Sequence, residues 1–340
     1  MRVIRERRLR LRPEFAVIPL EGSSVLLRSP HQGVRVGVDG VPSSSLATLL
    51  RSMDGREVAS ALLEDGDAAD GIASLLDGLV ARDIVATTPG PLSMSAEGRL
   101  FAQFHDDPDG CVRRLAESRV VVVGSGLLAE CVARDLGAAG IAEVVRMAEA
   151  EREGHAREGH DRHTECADLA RACHGAALAI ACSEYGGRSE YEAMVNEVAR
   201  VSGLAWLSVR IFGGEGFVGP LFVPGDGPCH ACLLTREEAN WVDPELSRTY
   251  LQCVAKDPTN VEAYGRLPAF VSLMSQWTVL ESTKWLSRFT MPTLFGRVLR
   301  VDFLACVTQL HRVFRLPRCA QCSAAVRAPG VNTLLYAQPT

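Results

Sequence analysis

Residues 119–129 read RVVVVGSGLLA: four valines that run into a glycine turn and then into helix formers. A β-branched run of this kind fits a strand buried on both faces of a parallel sheet. In the turn Gly124-Ser-Gly126-Leu-Leu-Ala129, the first two glycines permit a tight bend and close approach of a pyrophosphate. The small third position lets the helix pack onto the strand. Strand and helix then alternate: helix 127–139, strand AEVVRM (142–147), a polar stretch (149–167), strand ALAIAC (177–182), helix 188–201 and strand AWLSVR (205–210). Such a βαβ rhythm predicts an α/β domain over 118–330 with a mostly parallel sheet, Rossmann-type, covered by helices. Residues 211–223 and 293–315 read as antiparallel strands flanking helix 268–289.

The turn does not by itself establish a nucleotide. No acid closes the strand AEVVRM to grip ribose hydroxyls, and Glu149 lies two residues beyond it. A phosphate loop of the Gly-Lys type is excluded, because no Gly-Lys pair exists in the chain. A ligand-free turn from sheet to helix explains the motif equally well.

Residues 1–90 read as a separate module. Three short β-rich pieces, FAVIPL (15–20), SSVLLR (23–28) and VRVGV (34–38), are punctuated by turn formers. Three helical stretches follow. SSSLATLLRSM (43–53) opens on serines suited to capping, and REVASALLE (56–64) lies behind Asp54-Gly55. DAADGIASLLDGLVARDI (67–84) sets Ile72, Leu75, Leu76, Leu79 and Val80 on one face. Three strands and three helices are the outline of a winged helix. TTPGP (87–91) reads as a linker, and 91–117 as a helical connection.

Within VRVGV, Val34, Val36 and Val38 share one face while Arg35 and Gly37 point the other way. If this strand is an edge, it can pair with an extended peptide. The third helix would then supply a wall, Leu75, Leu76 and Leu79, and Arg82 would join Arg35 in attracting acidic residues. The competing reading is that these leucines fill the module's own core.

With 36 basic against 41 acidic residues the net charge is -5, which argues against a nucleic-acid partner. Only Lys256 and Lys284 are lysines. No apolar run approaches the roughly 18 residues that span a bilayer. The start MRVIRERRLRLRP is no secretory signal, so a cytoplasmic protein is expected. In the cytosol eleven cysteines do not form a disulfide framework.

Four cysteines have a pattern of their own. PCHAC holds Cys229 and Cys232, and RCAQC holds Cys319 and Cys322, each motif with a nearby proline. Two C-x-x-C pairs are the spacing of a closed tetrahedral zinc site, whereas redox pairs stand singly near a helix start. Four thiolates leave no position for water, so such a zinc is structural. His155, His160, His163 and Cys166 (GHAREGHDRHTEC) could also ligate a metal, but the glycines and mixed charges read as a solvated loop. Cys253 has no visible partner for nucleophilic work.

The glycine turn, the strand ALAIAC, the segment GGEGFVGPLFVPGDGPCHACL and the terminal C-x-x-C together resemble the ubiquitin-activating superfamily of ThiF and MoeB over residues 118–323. That resemblance implies ATP-dependent adenylation of a peptide or protein C-terminus. It also implies paired aspartates after the second strand, an Asn-Leu-x-Arg-Gln motif, a lysine and a magnesium-binding Asp. None of these is present: AEAEREG follows VVRM, residues 127–182 hold no lysine, and Ser183, Glu184 and Tyr185 stand where the Asp belongs. Without cations for the triphosphate and a carboxylate for magnesium, no ATP is expected and Gly124, Gly126 and Ala129 become a vestigial loop.

The N-terminal pattern resembles the PqqD-like peptide-recognition module. A PqqD-like module before a degenerate ThiF-like domain is similar to the Ocin-ThiF-like proteins of azoline-containing (TOMM, thiopeptide-type) peptide biosynthesis. The resemblance implies a non-catalytic partner that binds a precursor's leader peptide and presents it to a separate YcaO-type cyclodehydratase; a homodimer is compatible with it. An adenylating enzyme of the ThiF/MoeB type is the alternative. A nicotinamide-linked oxidoreductase fails on the missing ribose acid.

Overall fold

The computed structural model describes residues 8–58, 68–88, 95–124, 126–147, 162–184, 190–256, 265 and 267–323. The chain divides into two compact units, Met1–Arg113 and Arg114–Thr340.

The first unit is built on two three-stranded antiparallel sheets. Strand β1 (Arg8–Leu11) lies between two strands far away in sequence, β5 (Asp54–Val58) and β6 (Val85–Thr88). The second sheet is the meander of β2 (Ala16–Pro19), β3 (Ser24–Arg28) and β4 (Gly33–Gly37). Helix α1 (Ser43–Ser52) buries Leu46, Ala47 and Leu50; Pro42 precedes it with no side-chain cap, so serines 43–45 lie inside its first turn. Helix α2 (Ala69–Ala81) buries Leu76 and Leu79. These residues meet Leu9, Phe15, Val25, Leu27, Val36 and Ile84 in one core. Two short helices, α3 (Ala96–Phe101) and α4 (Pro108–Ala116), lead out of the module.

Two expectations change here. The helix expected over 56–64 begins as β5, and residues 59–67 lie outside the described residues. Asp54-Gly55 does not break a helix; Gly55, at φ 87°, opens an extended strand. Of the expected linker TTPGP, Thr87 and Thr88 belong to β6 and pair with β1, and the remaining three residues lie outside the described set.

The second unit is a mixed α/β fold around a seven-stranded sheet. Four strands run parallel: β7 (Arg119–Val123), β8 (Glu143–Met147), β9 (Leu178–Ser183) and β10 (Trp206–Phe212). Then β11 (Glu215–Phe222), β12 (Arg297–Asp302) and β13 (Val307–Arg312) extend the sheet antiparallel, giving the order β13-β12-β11-β10-β9-β7-β8. Valines 120–123 are buried, as a central parallel strand requires. Helices α5 (Gly126–Ala138), α6 (Arg162–Cys173) and α7 (Glu190–Ser202) make the crossovers; α8 (His230–Ala239), α9 (Pro244–Lys256) and α10 (Pro268–Ser287) follow β11. Asp135 of α5 ties α10 down, accepting from Ser275 Oγ at 2.7 Å and Gln276 Nε2 at 2.9 Å. Among the described residues no helix is long and apolar enough to cross a membrane.

Leu76 is fully buried in the first unit's core. Leu76→Ala should therefore cost about 2–5 kcal/mol of that unit's stability, read by urea denaturation.

Candidate functional site

The antiparallel extension brings two distant segments together. Cys229 stands just before α8, Cys232 lies in its first turn, and Cys319 and Cys322 come from the segment after β13. All four sulfurs lie within 4.8 Å of one another. Three separations are 3.7 Å (Cys229–Cys232), 3.5 Å (Cys229–Cys319) and 3.6 Å (Cys232–Cys322). A tetrahedron with metal–sulfur arms of about 2.3 Å has edges of about 3.8 Å, so the four thiols fit one ion. The Leu316 amide donates to Cys232 Sγ at 3.3 Å. Burial works against the Cys319 thiolate, yet the backbone amides of Cys322 and Gln321 donate to its sulfur and bring it down to about 7. Burial pushes Cys229 well above the usual thiol range and Cys322 up to about 11. A bound cation would favour the thiolate forms of Cys229 and Cys322 against that burial.

Behind this cluster lies a buried polar network. His230 sets its ring edge-on to Trp206 (centroids 5.5 Å) and Phe222 (5.9 Å). Its Nε2 is 3.7 Å from Glu192 of α7, which also accepts from Ser208 Oγ of β10. Arg210 joins in, bonding Glu237 at 2.6 Å. Burial opposes the Glu192 charge, but Arg210 and His230 outweigh it and hold this carboxyl below the usual carboxylate range. The network ties the C-x-x-C segment to the sheet.

The glycine turn is drawn tightly onto β9. At Gly124 (φ 145°) a Cβ would stand 2.4 Å from the Cys182 carbonyl oxygen, so no larger residue fits. At Gly126 a Cβ would lie 2.8–3.0 Å from the Glu184 carboxylate. That carboxylate is buried and accepts the Leu128 amide at the start of α5. A helix start presents amides and a partial positive charge, the usual seat of a phosphate. Here the chain's own acid occupies it. Glu184 escaped the sequence reading except as a substitute for a missing Asp; its place one residue past β9, beside the turn, is the signal that points to it.

In the first unit, β4 is an edge of its meander. Val34 is half-buried, Val36 and Val38 are buried, and Arg35 and Gly37 are exposed, as the alternation predicts. The hairpin fixes which backbone groups face outward. Ser29 N donates to Gln32 O, and on the other side of β3 Leu20 N donates to Ser24 O. Antiparallel pairs alternate, so Val25↔Val36 and Leu27↔Val34 exchange hydrogen bonds within the sheet. The N–H and C=O groups of Gly33, Arg35 and Gly37 therefore point away from it. The first turn of α2 packs just beyond this strand: a Cβ on Gly71 would meet Val38 at 2.8 Å. Leu76 and Leu79 are interior, whereas Leu75 is half-buried and Arg82 exposed. Arg35 is held by Ser24 Oγ at 2.8 and 3.0 Å.

The remaining candidates do not gather. Glu149, His155, His160 and the His163 side chain lie outside the described residues. Cys166 packs against the second unit's core, and Cys253 is exposed on α9. Ala129 is buried on α5.

No protein-family model and no curated protein matches the chain. Solved structures do resemble it. The heterocyclase TruD superposes with a TM-score of 0.68 at 20% identity, covering 93% of this chain and 43% of its own. A heterocyclase in complex with substrate and cofactor gives 0.63 at 18%, covering 93% and 39%. MccB of E. coli, solved with MccA-N7isoASN, gives 0.58 at 12%, covering 92% and 99%. The chain thus shares the fold of these proteins and spans about two fifths of the heterocyclase chains' length.

Replacing Glu184 with Ala should strand the Leu128 amide and lower the second unit's stability by about 1–3 kcal/mol, measured by chemical denaturation.

Proposed function

We propose that this protein is a non-catalytic adaptor. It binds the leader of a ribosomally made precursor peptide along the outer edge of β4 and presents the core to a separate YcaO-type cyclodehydratase, which forms the azolines. The observation that carries this reading is the outward row of Gly33, Arg35 and Gly37 backbone groups. An extended peptide can add there as a fourth strand, drawing affinity from main-chain bonds and specificity from side-chain contacts. In this reading Val34 and Leu75 would contact the peptide, Val36, Val38, Leu76 and Leu79 would support it from the core, and Arg35 and Arg82 would meet leader acids. The unit would act as the PqqD-like winged-helix module of an Ocin-ThiF-like protein. The likeness of the chain to part of a heterocyclase supports a shared task in peptide heterocyclisation.

Adenylation is not favoured. The seat for a phosphate holds Glu184, and the lysine and aspartates that would handle magnesium-ATP are missing from the sequence. Zinc on Cys229, Cys232, Cys319 and Cys322 is assigned a structural role: it would clip the segment after β13 to α8 without an open coordination position.

Three measurements test the reading. Arg35→Pro deletes one outward donor without touching the β3–β4 ladder, so in the full chain it should weaken leader binding about tenfold or more relative to Arg35→Ala, read by fluorescence anisotropy. Equal affinity of the two folded variants would place the peptide elsewhere. Freshly purified protein should contain about one zinc per chain, and Cys232→Ser should lose it together with thermal stability, as read by elemental analysis and calorimetry. The cyclodehydratase should co-elute with the chain and be stimulated by it when leader is present.

A further inference from the structure

Strand β13 ends the second unit's sheet, and among the described residues no strand covers its outer side. Its residues are all exposed, Leu310 to 44% and Val307 to 46%. The hydrogen-bond phase is fixed on both sides of β12. Val313 N donates to Gly296 O at 2.9 Å, and Phe303 N donates to Gly214 O at 3.0 Å. Antiparallel pairs alternate, so His311↔Val298, Gln309↔Arg300 and Val307↔Asp302 exchange bonds inside the sheet. The N–H and C=O groups of Thr308, Leu310 and Arg312 therefore point away from it.

Charge at one end of this edge is one-sided. Arg312 pairs directly with Arg297, so two guanidiniums leave the same face of adjacent strands. Like charges so placed repel one another. Among the described residues no carboxylate pairs with either. Arg312 lies over the Phe314 ring, 5.0 Å from its centre, and Arg236 lies over the same ring at 5.7 Å. Such contacts steady a guanidinium without neutralising it. Phe314 itself stays 53% exposed. His311, Arg315 and Arg318 belong to the same segment, and residues 303–340 contain no Asp or Glu, in a chain whose net charge is -5.

We propose that the β13 edge is a docking strand for an acidic, extended segment of a partner protein, which adds to the sheet as a further strand. Its backbone would bond Thr308, Leu310 and Arg312, an apolar side chain would cover Leu310, and an acidic one would meet Arg312 and Arg297. A second copy of β13 is the poorer occupant, because it brings more cations and no acid. The site uses neither β4 nor α2, so it stands apart from the leader reading.

The test is ligand-detected NMR titration of the full chain with acetyl-Glu-Glu-Val-Thr-Val-amide. Laid antiparallel on Thr308–Arg312, this peptide sets its first glutamate against Arg312 and its central valine against Leu310. A Gln-Gln counterpart and a version N-methylated at the central valine are the controls. The glutamate peptide should bind about tenfold more tightly than either. Leu310→Pro removes one outward donor and leaves the β12 ladder intact, so it should weaken binding about tenfold relative to Leu310→Ala. Arg312→Gln, a change to an exposed side chain, should erase the glutamate preference. Arg35→Pro should leave both effects in place. Equal affinity for the glutamate and glutamine peptides would overturn the proposal. Full affinity of the N-methylated peptide would do the same, because charge attraction alone would then explain binding. A preference lost in Arg35→Pro but kept in Arg312→Gln would move the peptide to β4 and overturn it. Sedimentation showing a dimer that Leu310→Pro dissociates would give the edge to a second copy, and that result also contradicts the proposal.

Discussion

A buried carboxylate accepting an amide at the start of a helix organises the second unit. Glu184 reaches from the end of β9 to Leu128 of α5, beside a turn in which a side chain on Gly124 or Gly126 would clash. A helix N-terminus with its amides unmet is costly when buried, and an anion there is worth about 0.3–1 kcal/mol at the surface and up to ~2 kcal/mol when partly buried. In Rossmann-type nucleotide-binding proteins the anion at such a helix start is supplied by the ligand. Here it is part of the chain. The glycines at 124 and 126 thus have a structural reason to exist: the first lets the turn lie on the Cys182 carbonyl, the second admits the acid.

The other end of the sheet is fastened differently. The antiparallel strands β11 to β13 carry the chain out and back, and the four cysteines join α8 to the segment after β13. His230, between two of those cysteines, is wedged against Trp206 and Phe222 and linked to Glu192 and Arg210, so the cluster rests on the sheet instead of hanging from a loop. In the first unit, by contrast, one strand edge keeps polar groups turned outward: the backbone of β4. In the adaptor reading, that is where the protein meets the leader.

How much of this was legible in the sequence follows from which interactions are local. The run RVVVVGSGLLA declared strand, turn and helix because burial on both faces leaves no room for polar residues. The paired C-x-x-C motifs foretold a cluster because each pair is fixed by its own short loop. The face alternation of β4 was readable from three valines. The sheet β5-β1-β6 was not. Its paired residues are up to 80 positions apart (Arg8↔Thr88), and β1 alternates leucine with arginine, a pattern that alone does not announce a central strand. Residues 56–58 carry helix-forming neighbours, and pairing with β1 overrides that propensity. Glu184 was invisible as a cap because its partner amide lies 56 residues earlier.

The proposal stands or falls on Glu184 holding the helix start that a phosphate would otherwise take, leaving the second unit without a seat for ATP. Calorimetric titration of the intact protein with magnesium-ATP, leader peptide present, tests it most directly. The account predicts no saturable heat. Micromolar, magnesium-dependent binding that disappears when Gly126 is replaced by a bulky residue would contradict it.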